Sequence, residues 1–194
     1  MKTCFRVLGM LLCVIMCFHL AACSGETQTE ETMAVVFSEK YLNVAEVSPE
    51  DWIESLNNLG AEQYAKLYVN DDGVSVTLEI TQAQKDFWIS AVNQGLQKLK
   101  GNFEAIDSAY SITWSGDYAC IDFHYNLNLP AADAIYYVIY SEVYCAFGQL
   151  LNGADAGSWT VSFNIYNSDT GKLVTSGDSN TGLSYNTSDW EASE

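Results

Sequence analysis

The chain has 194 residues, of which 48% are apolar and 13% aromatic, and its 25 acidic residues far outnumber its eight basic ones. This composition excludes an intrinsically disordered chain, a collagen-like chain and a disulfide-dense mini-protein. The length suits one modest domain that can bury a core once any processed segment is removed.

The first residues predict an export signal and not a part of the fold. Lys2 and Arg6 form a basic start, an apolar run of export-signal length follows, and small residues precede Cys23. This order is typical of a secretory signal. The apolar run is too short for a comfortable membrane-spanning helix. We therefore expect residues 1–22 to be a signal peptide.

The end of this segment, Leu20-Ala21-Ala22-Cys23, resembles the lipobox of bacterial lipoprotein signal peptides. The resemblance covers residues 1–23 and says nothing about the domain behind them. It implies that Cys23 receives a diacylglyceryl thioether and becomes the new N-terminus. Several acyl chains would then hold the protein on the extracytoplasmic side of a bacterial cell membrane. The alternative is an ordinary cleaved signal with an incidental cysteine.

The charge of the mature chain limits its partners. Removal of residues 1–22 takes away two basic residues and no acid, which leaves six Lys, no Arg and a net charge of −19. Nucleic-acid backbones and anionic membrane surfaces would be repelled. The guanidinium group that usually recognises phosphates is missing. We therefore expect no nucleic acid among the partners, and membrane contact through the lipid on Cys23.

The mature chain is expected to have three parts. Residues 23–33 are the lipidated cysteine and a polar tether, 34–176 a single α+β domain, and 177–194 a polar C-terminal tail. The stretch 34–47 is ambiguous between strand and helix. Ser48 and the proline after it begin a predicted helix that ends before Gly60.

Alternating apolar residues predict strands, and apolar residues at helical spacing predict two long helices between them. The predicted elements are a hairpin at 65–80, a helix from Thr81 to Lys100, a hairpin at 109–125, a helix from Pro130 to Leu151, and strands near 159–165 and 173–174. The pattern Thr81-x-x-Gln84 predicts a capping box at the start of the first of these helices. This order indicates an α+β fold. We expect an antiparallel sheet with helices on one face, in a ferredoxin-like (split βαβ) arrangement with extra strands.

The sequence of the hairpin at 109–125 predicts which residues lie opposite each other. With Gly116-Asp117 as a two-residue turn, Ile112 lies opposite Ile121, and Ser111 lies opposite Asp122. Apolar side chains then share one side of the hairpin and polar ones the other. A slip of one residue would destroy this separation.

Asp122 and His124 are the candidate catalytic residues. His124 is the only histidine of the mature chain. The two side chains lie about 7 Å apart along one strand and could pair, which would fix the histidine tautomer. Cys120 lies too far along the strand to be activated by His124, so a nucleophile would have to come from a neighbouring strand, such as Ser111 or Thr77. A solvated polar side of a strand is the favoured interpretation.

No metal site or cofactor is predicted. The spacing of Cys120, His124 and Cys145 matches no zinc motif. The oxygen-rich stretches 70–73 and 178–182 lack a complete calcium loop and are interpreted as turns. A disulfide between the two cysteines would suit an exported protein. Because the hairpin register points Cys120 away from the helices, we expect two free thiols, with Cys145 buried.

The helix 131–151 has an unusual surface. Tyr136, Tyr140 and Tyr144 form a ridge beside an apolar stripe that begins at Ile135. One alternative is that the helix 49–59 buries the ridge. The other is that the ridge is a binding surface, because tyrosine packs well and keeps a polar tip.

These observations favour a lipid-anchored, extracytoplasmic domain that binds a protein partner or a small ligand without catalysis. The tyrosine ridge or the polar side of the sheet would make the contacts. The first alternative is a small cell-envelope hydrolase that uses Asp122 and His124. A third possibility is a structural or chaperone-like accessory protein without a ligand pocket.

Overall fold

A computed structural model describes residues 30–58 and 61–194. They belong to two compact units that meet between Ala91 and Val92. The predicted signal peptide and the lipid-bearing Cys23 lie outside the described residues. Within the described ranges, no helix combines the length and the hydropathy needed to span a membrane. The prediction that 34–176 form a single domain stays a prediction.

The first unit contains a three-stranded antiparallel sheet in the order β1-β3-β2. Its elements are β1 (Met33–Phe37), α1 (Glu39–Val44), α2 (Pro49–Asn58), a 3-10 turn (Ala61–Gln63), β2 (Lys66–Val69) and β3 (Val76–Ile80). The predicted start of α2 is confirmed, because the Asp51 amide donates to the Ser48 hydroxyl at 3.1 Å. Trp52 packs on Phe37 at 5.3 Å and on Tyr41 at 5.5 Å between ring centroids.

Helix α3 (Gln82–Glu104) begins in the first unit and ends in the second. The predicted capping box is confirmed, because the Thr81 amide donates to Gln84 Oε1 at 3.0 Å and the Gln84 amide to Thr81 Oγ1 at 3.3 Å. The helix continues past Gly101, where the prediction ended it. Phe103 is 0% exposed, so burial of its ring stabilises the additional turn.

The second unit contains a four-stranded sheet in the order β4-β5-β6-β7. Its elements are β4 (Ser111–Trp114), β5 (Cys120–Tyr125), α4 (Ala131–Leu151), β6 (Ser162–Asn167), β7 (Leu173–Asp178) and α5 (Thr187–Ala192). Strands β5 and β6 are parallel, and the other pairs are antiparallel. Parallel neighbours need a long crossover connection, which α4 supplies.

The predicted α+β class with extra strands is confirmed, but the strand order is not that of a split βαβ sandwich. Strand β3 belongs to a different sheet from β4–β7. The stretch 33–37, ambiguous in sequence, forms β1 and pairs with the whole of β3 from Met33 to Phe37. Since β2 occupies the other edge of β3, no later strand can join it there.

The register predicted for the second hairpin is wrong by two residues. Ile112 pairs with Phe123 and Thr113 with Asp122. The connection is longer than a two-residue turn, because the Ser115 amide donates to the Cys120 carbonyl at 2.9 Å and Tyr118 adopts a positive φ of 61°. An even shift keeps each side chain on its side of the sheet. The predicted separation of apolar and polar sides therefore holds.

Helices α3 and α4 meet the apolar side of the second sheet through aromatic rings. The Phe103 ring lies 4.7 Å from Tyr137 and 6.2 Å from Phe123. A Cβ atom at Gly148 would lie 2.6 Å from Tyr118 Cδ2, so the tyrosine ring rests directly on the backbone of α4. Gln149 Nε2 donates to the Tyr118 carbonyl at 2.8 Å and fixes the same contact.

The segment predicted to be a polar tail is folded. Asn186 caps α5 by accepting from the Ser188 amide at 2.8 Å, within a capping box completed by Asp189. Trp190 is 3% exposed and packs on Tyr125 at 5.3 Å. The segment is therefore part of the second unit.

The chain also folds back along the outer edge of β7. Asp178 forms a β-bridge with Gly182, and the Thr175 hydroxyl donates to the Ser184 carbonyl at 3.1 Å. A Cβ atom at Gly177 would lie 2.2 Å from the Gly182 carbonyl oxygen. Glycine at this position is what allows the returning chain to approach so closely.

Candidate functional site

The second sheet has one covered side and one open side. The covered side consists of apolar residues that are at most 2% exposed: Ile112, Ile121, Phe123, Phe163 and Ile165. The intervening residues point the other way and are half-buried or exposed. We call this side the open face; it comprises Ser111, Thr113, Cys120, Asp122, His124, Ser162, Asn164, Tyr166, Leu173 and Ser176.

Asn164 organises the centre of the open face. Its side-chain amide donates to Asp122 Oδ1 at 2.8 Å and to Cys120 Sγ at 3.4 Å. The Cys120 thiol lies 3.8 Å from the same carboxylate oxygen. This cluster forms because β5 and β6 are parallel and pair Asp122 with Asn164. Sequence analysis found two of its members and missed Asn164, although its position between Phe163 and Ile165 marks it as outward-pointing.

His124 and Asp122 do not form the predicted pair. The His124 ring stacks on Tyr166, with centroids 4.7 Å apart and planes 13° apart. Asp122 is engaged by Asn164 instead. Of the two candidate hydroxyls, Ser111 lies directly opposite His124, whereas Thr77 lies on β3 in the other sheet. Within residues 61–194, however, no hydrogen bond or ion pair joins His124 to Ser111 or to Asp122.

The Cys120 thiol is poorly suited to nucleophilic attack. Partial burial, followed by the charge of Asp122, raises its pKa above the ordinary value, against a smaller opposing effect of the Asn164 amide. Both causes disfavour the thiolate, which is the reactive form. The open face therefore groups polar side chains without activating one of them.

The three tyrosines of the predicted ridge have different environments. Tyr144 is 8% exposed, and its ring rests on Gly95 of α3, where a Cβ atom would lie 2.3 Å from Tyr144 Cε1. Burial raises the pKa of Tyr144 to about 12. Tyr136 and Tyr140 are half-buried, with ring centroids 4.2 Å apart. Their role in binding stays a prediction, while Tyr144 is part of the core.

The apolar stripe beside the ridge is buried only at its C-terminal end. Ile135, near the start of α4, is 57% exposed, whereas Ala146 and Leu150 are 0% and 3% exposed. The first turns of α4 thus leave apolar surface accessible next to Tyr136.

The predicted state of the cysteines is confirmed. Cys120 is half-buried, Cys145 is buried, and both are free thiols. The two oxygen-rich stretches serve as turns, since Asp72 Oδ1 accepts from the Val74 amide and Asp178 Oδ1 from the Asn180 amide. In the described ranges, no three His, Cys, Asp or Glu side chains are grouped so as to hold a metal ion.

The geometry of the open face is that of an ordered polar surface without an assembled catalytic group. We compared the chain with protein-family models, with curated proteins and with solved structures, and none of them matches it. Its function has to be inferred from its own residues.

Proposed function

We propose that this chain is a lipid-anchored protein on the extracytoplasmic side of a bacterial cell membrane, and that it binds a protein partner through the open face without catalysis. The observation that supports binding is the open face itself, a four-stranded surface at whose centre Asp122 and Asn164 are already joined by a hydrogen bond. The observation that supports the location is the lipobox-like ending at Cys23.

The open face suits a partner because its groups are preorganised. Asn164 and Asp122 hold each other at 2.8 Å, so little side-chain entropy is lost when a partner contacts them. Asp122 keeps further acceptor positions, since an ionised carboxylate can accept about four hydrogen bonds. The stacked His124 and Tyr166 rings add an amphipathic element of the kind enriched at interfaces.

The tether and the charge agree with a function away from the membrane surface. If the residues between Cys23 and β1 form the expected tether, a flexible segment of that length would span roughly 15–20 Å. The net charge of −19 after processing repels anionic lipid headgroups, so the folded units would be held off the surface by their own charge.

A small hydrolase that uses Asp122 and His124 remains the alternative, but it is supported less well. Such an enzyme needs the carboxylate to orient the imidazole, and here the His124 ring stacks on Tyr166, with no hydrogen bond to Asp122 among residues 61–194. A His124→Ala variant that keeps partner binding and loses a hydrolytic activity would favour the alternative.

Photo-crosslinking in intact cells tests the binding surface. A photoreactive residue at Thr113 on β4 or at Ser176 on β7 should give one adduct of the same mass, because both positions are exposed on the open face. The control position is Gln97, which is exposed on α3. An Asn164→Asp change, which places a second carboxylate beside Asp122, should reduce the adduct about tenfold. Equal adducts from Gln97, or no effect of Asn164→Asp in a folded variant, would contradict the proposal.

Mass spectrometry tests the anchor separately. Intact protein from membrane extracts should begin at Cys23 and carry the mass of its acyl chains. A Cys23→Ser variant should leave the membrane fraction while it keeps its fold. An unmodified sulfur at Cys23 would refute the lipid anchor but would leave the open face as a binding surface.

A further inference from the structure

A second candidate site lies where the parallel strands β5 and β6 end. A crevice of about 210 Å³ opens there, between the loop that follows β5, the loop that follows β6 and the C-terminal segment. Because β5 and β6 are parallel, the loops that follow them leave the sheet at the same edge. The lining residues used below are Asn126, Leu127, Asn128, Asp169, Trp190 and Glu194.

One wall of the crevice is rich in hydrogen-bond acceptors. Asp169 is oriented by Asn126, whose side-chain amide donates to Oδ1 at 3.2 Å and to Oδ2 at 3.4 Å. Asn126 is itself fixed, because its side-chain oxygen accepts from the Tyr110 hydroxyl at 2.9 Å. The Asp169 carboxylate keeps lone pairs for a ligand. Glu194 adds a second carboxylate to the lining.

Leu127 and Trp190 add apolar surface to the lining, and its other members, Asn128, Asn167 and Thr170, are polar. Leu127 is 59% exposed at the crevice, and the Trp190 ring contributes a wall that is fixed by packing on Tyr125 and Tyr185. An apolar wall beside an acceptor-rich wall matches an amphipathic cation, which has a methylene stem and a charged head.

The charge of the protein favours such a ligand. After processing, the chain has 25 acidic residues, six Lys and no Arg. One of those lysines, Lys172, already donates to the backbone carbonyl of Glu194 at this end of the sheet. This ammonium group offsets part of the negative charge beside the crevice, while the net charge of the whole chain draws further cations toward the protein.

We propose that this crevice binds one guanidinium or ammonium group on an aliphatic stem. The group comes either from an Arg or Lys side chain of a basic partner or from a small free cation. The crevice is distinct from the open face, so this inference does not rest on the proposed function.

NMR titration of the isotopically labelled full-length chain in detergent micelles tests the ligand class. The probes are argininamide and its uncharged analogue citrullinamide. Argininamide should shift the Trp190 indole N–H signal and the Asn128 side-chain amide signals in a saturable way. Citrullinamide should bind at least about tenfold more weakly, because it lacks the charge. Equal affinities for the two probes, or no saturable shift, would refute the site.

Two variants locate the site. Asp169→Asn keeps the shape of the side chain and an acceptor for Asn126, and it should weaken argininamide binding about tenfold. The matched control Asp155→Asn, at an exposed loop position, should leave it unchanged. Asn164→Asp on the open face should also leave the affinity for argininamide unchanged. This variant therefore distinguishes a failure of the crevice proposal from a failure of the proposed function. An unchanged affinity in folded Asp169→Asn would refute the assignment.

A third probe identifies the source of the cation. The peptide acetyl-Gly-Arg-Gly-amide carries the same head group with a backbone on both sides. An affinity close to that of argininamide supports a protein side chain as the ligand. Binding about tenfold weaker than that of argininamide supports a small free cation.

Discussion

The covered side and the open face of the sheet β4–β7 are alternate residues of the same strands, yet they are held in place differently. Phe123 and Ile165 on the covered side are at most 1% exposed, and close packing determines which side chains fit there. Asn164 and Asp122 on the open face are held by a hydrogen bond instead. Packing therefore limits the covered side, whereas the open face leaves polar groups available for the binding proposed above, so neighbouring substitutions should have opposite consequences.

The largest difference in the free energy of unfolding is expected between substitutions at two consecutive residues of β5. Phe123→Ala should lower the free energy of unfolding by about 3–5 kcal/mol, because it leaves a cavity in the core. His124→Ala should lower it by less than about 1 kcal/mol, since it removes one ring stack on the open face. Urea denaturation of both variants measures this difference. Similar losses in the two variants would show that the open face belongs to the core.

A second prediction concerns the packing beneath the covered side. Gly148→Ala should destabilise the protein by about 1–3 kcal/mol, because its new methyl group meets the Tyr118 ring. That ring cannot move easily, since the Tyr118 hydroxyl donates to Asn93 Oδ1 at 3.0 Å.

Gly101→Ala is the matched control for the glycine substitution. This glycine is also helical, but nothing lies within 4 Å of its new Cβ atom. The change should stabilise the protein by about 0.5–1 kcal/mol through the better helix propensity of alanine. Thermal or urea denaturation would decide the matter, and an unchanged stability of Gly148→Ala would show that the contact is loose.

The third prediction concerns pH and the loop that joins β4 to β5. Hydrogen bonds from the Ser115 hydroxyl, and then from the Ala119 amide, lower the pKa of Asp117. A pKa that is lower in the folded than in the unfolded state stabilises the protein above the unfolded pKa, and the effect is lost as the pH falls through the folded pKa. Asp117→Ala should therefore be less stable than wild type at neutral pH but not in acid. A stability difference that persists unchanged in acid would contradict the assignment.

The smallest effect is expected for the two thiols, which should differ in their rate of chemical modification and not in their contribution to stability. Burial raises the pKa of Cys145 more than that of half-buried Cys120. An alkylating reagent should therefore modify Cys120 slowly and Cys145 only after unfolding. Titration of the unfolded, unreduced mature chain should count two thiols. A count of zero would mean a disulfide and a different orientation of Cys120.

Much of the local structure could be predicted, because the signals are local. The capping box at Thr81 and the alternation from Val76 to Ile80 each involve residues close in sequence. The prediction of which residues lie on each side of the hairpin was correct although the register was wrong, because alternation has a period of two and the error was two residues. The turn itself was missed, because a positive φ at Tyr118, a bulky residue, has no sequence signature.

The parts that depend on distant pairing could not be predicted. Nothing in the sequence 33–37 specifies that it pairs with β3, and this pairing, together with that of β2, leaves β3 no free edge for a strand of the second sheet. The same holds for Asn164, whose contact with Asp122 exists only because β5 and β6 are parallel. The sequence therefore identified Asp122 and His124 as candidate residues. It did not identify the residues that they contact, Asn164 and Tyr166.

The return of the chain along β7 has a consequence for self-association. Unpaired strand edges are templates on which further copies can add, and crowding on a membrane would favour this. In the second sheet, the bridge between Asp178 and Gly182 blunts one such edge. The opposite edge is β4, which is only four residues long. Addition of further copies at both edges of the sheet, and so growth into a fibril, is thereby disfavoured. A Gly177→Val change would force the returning chain away from β7 and should make the protein prone to aggregate.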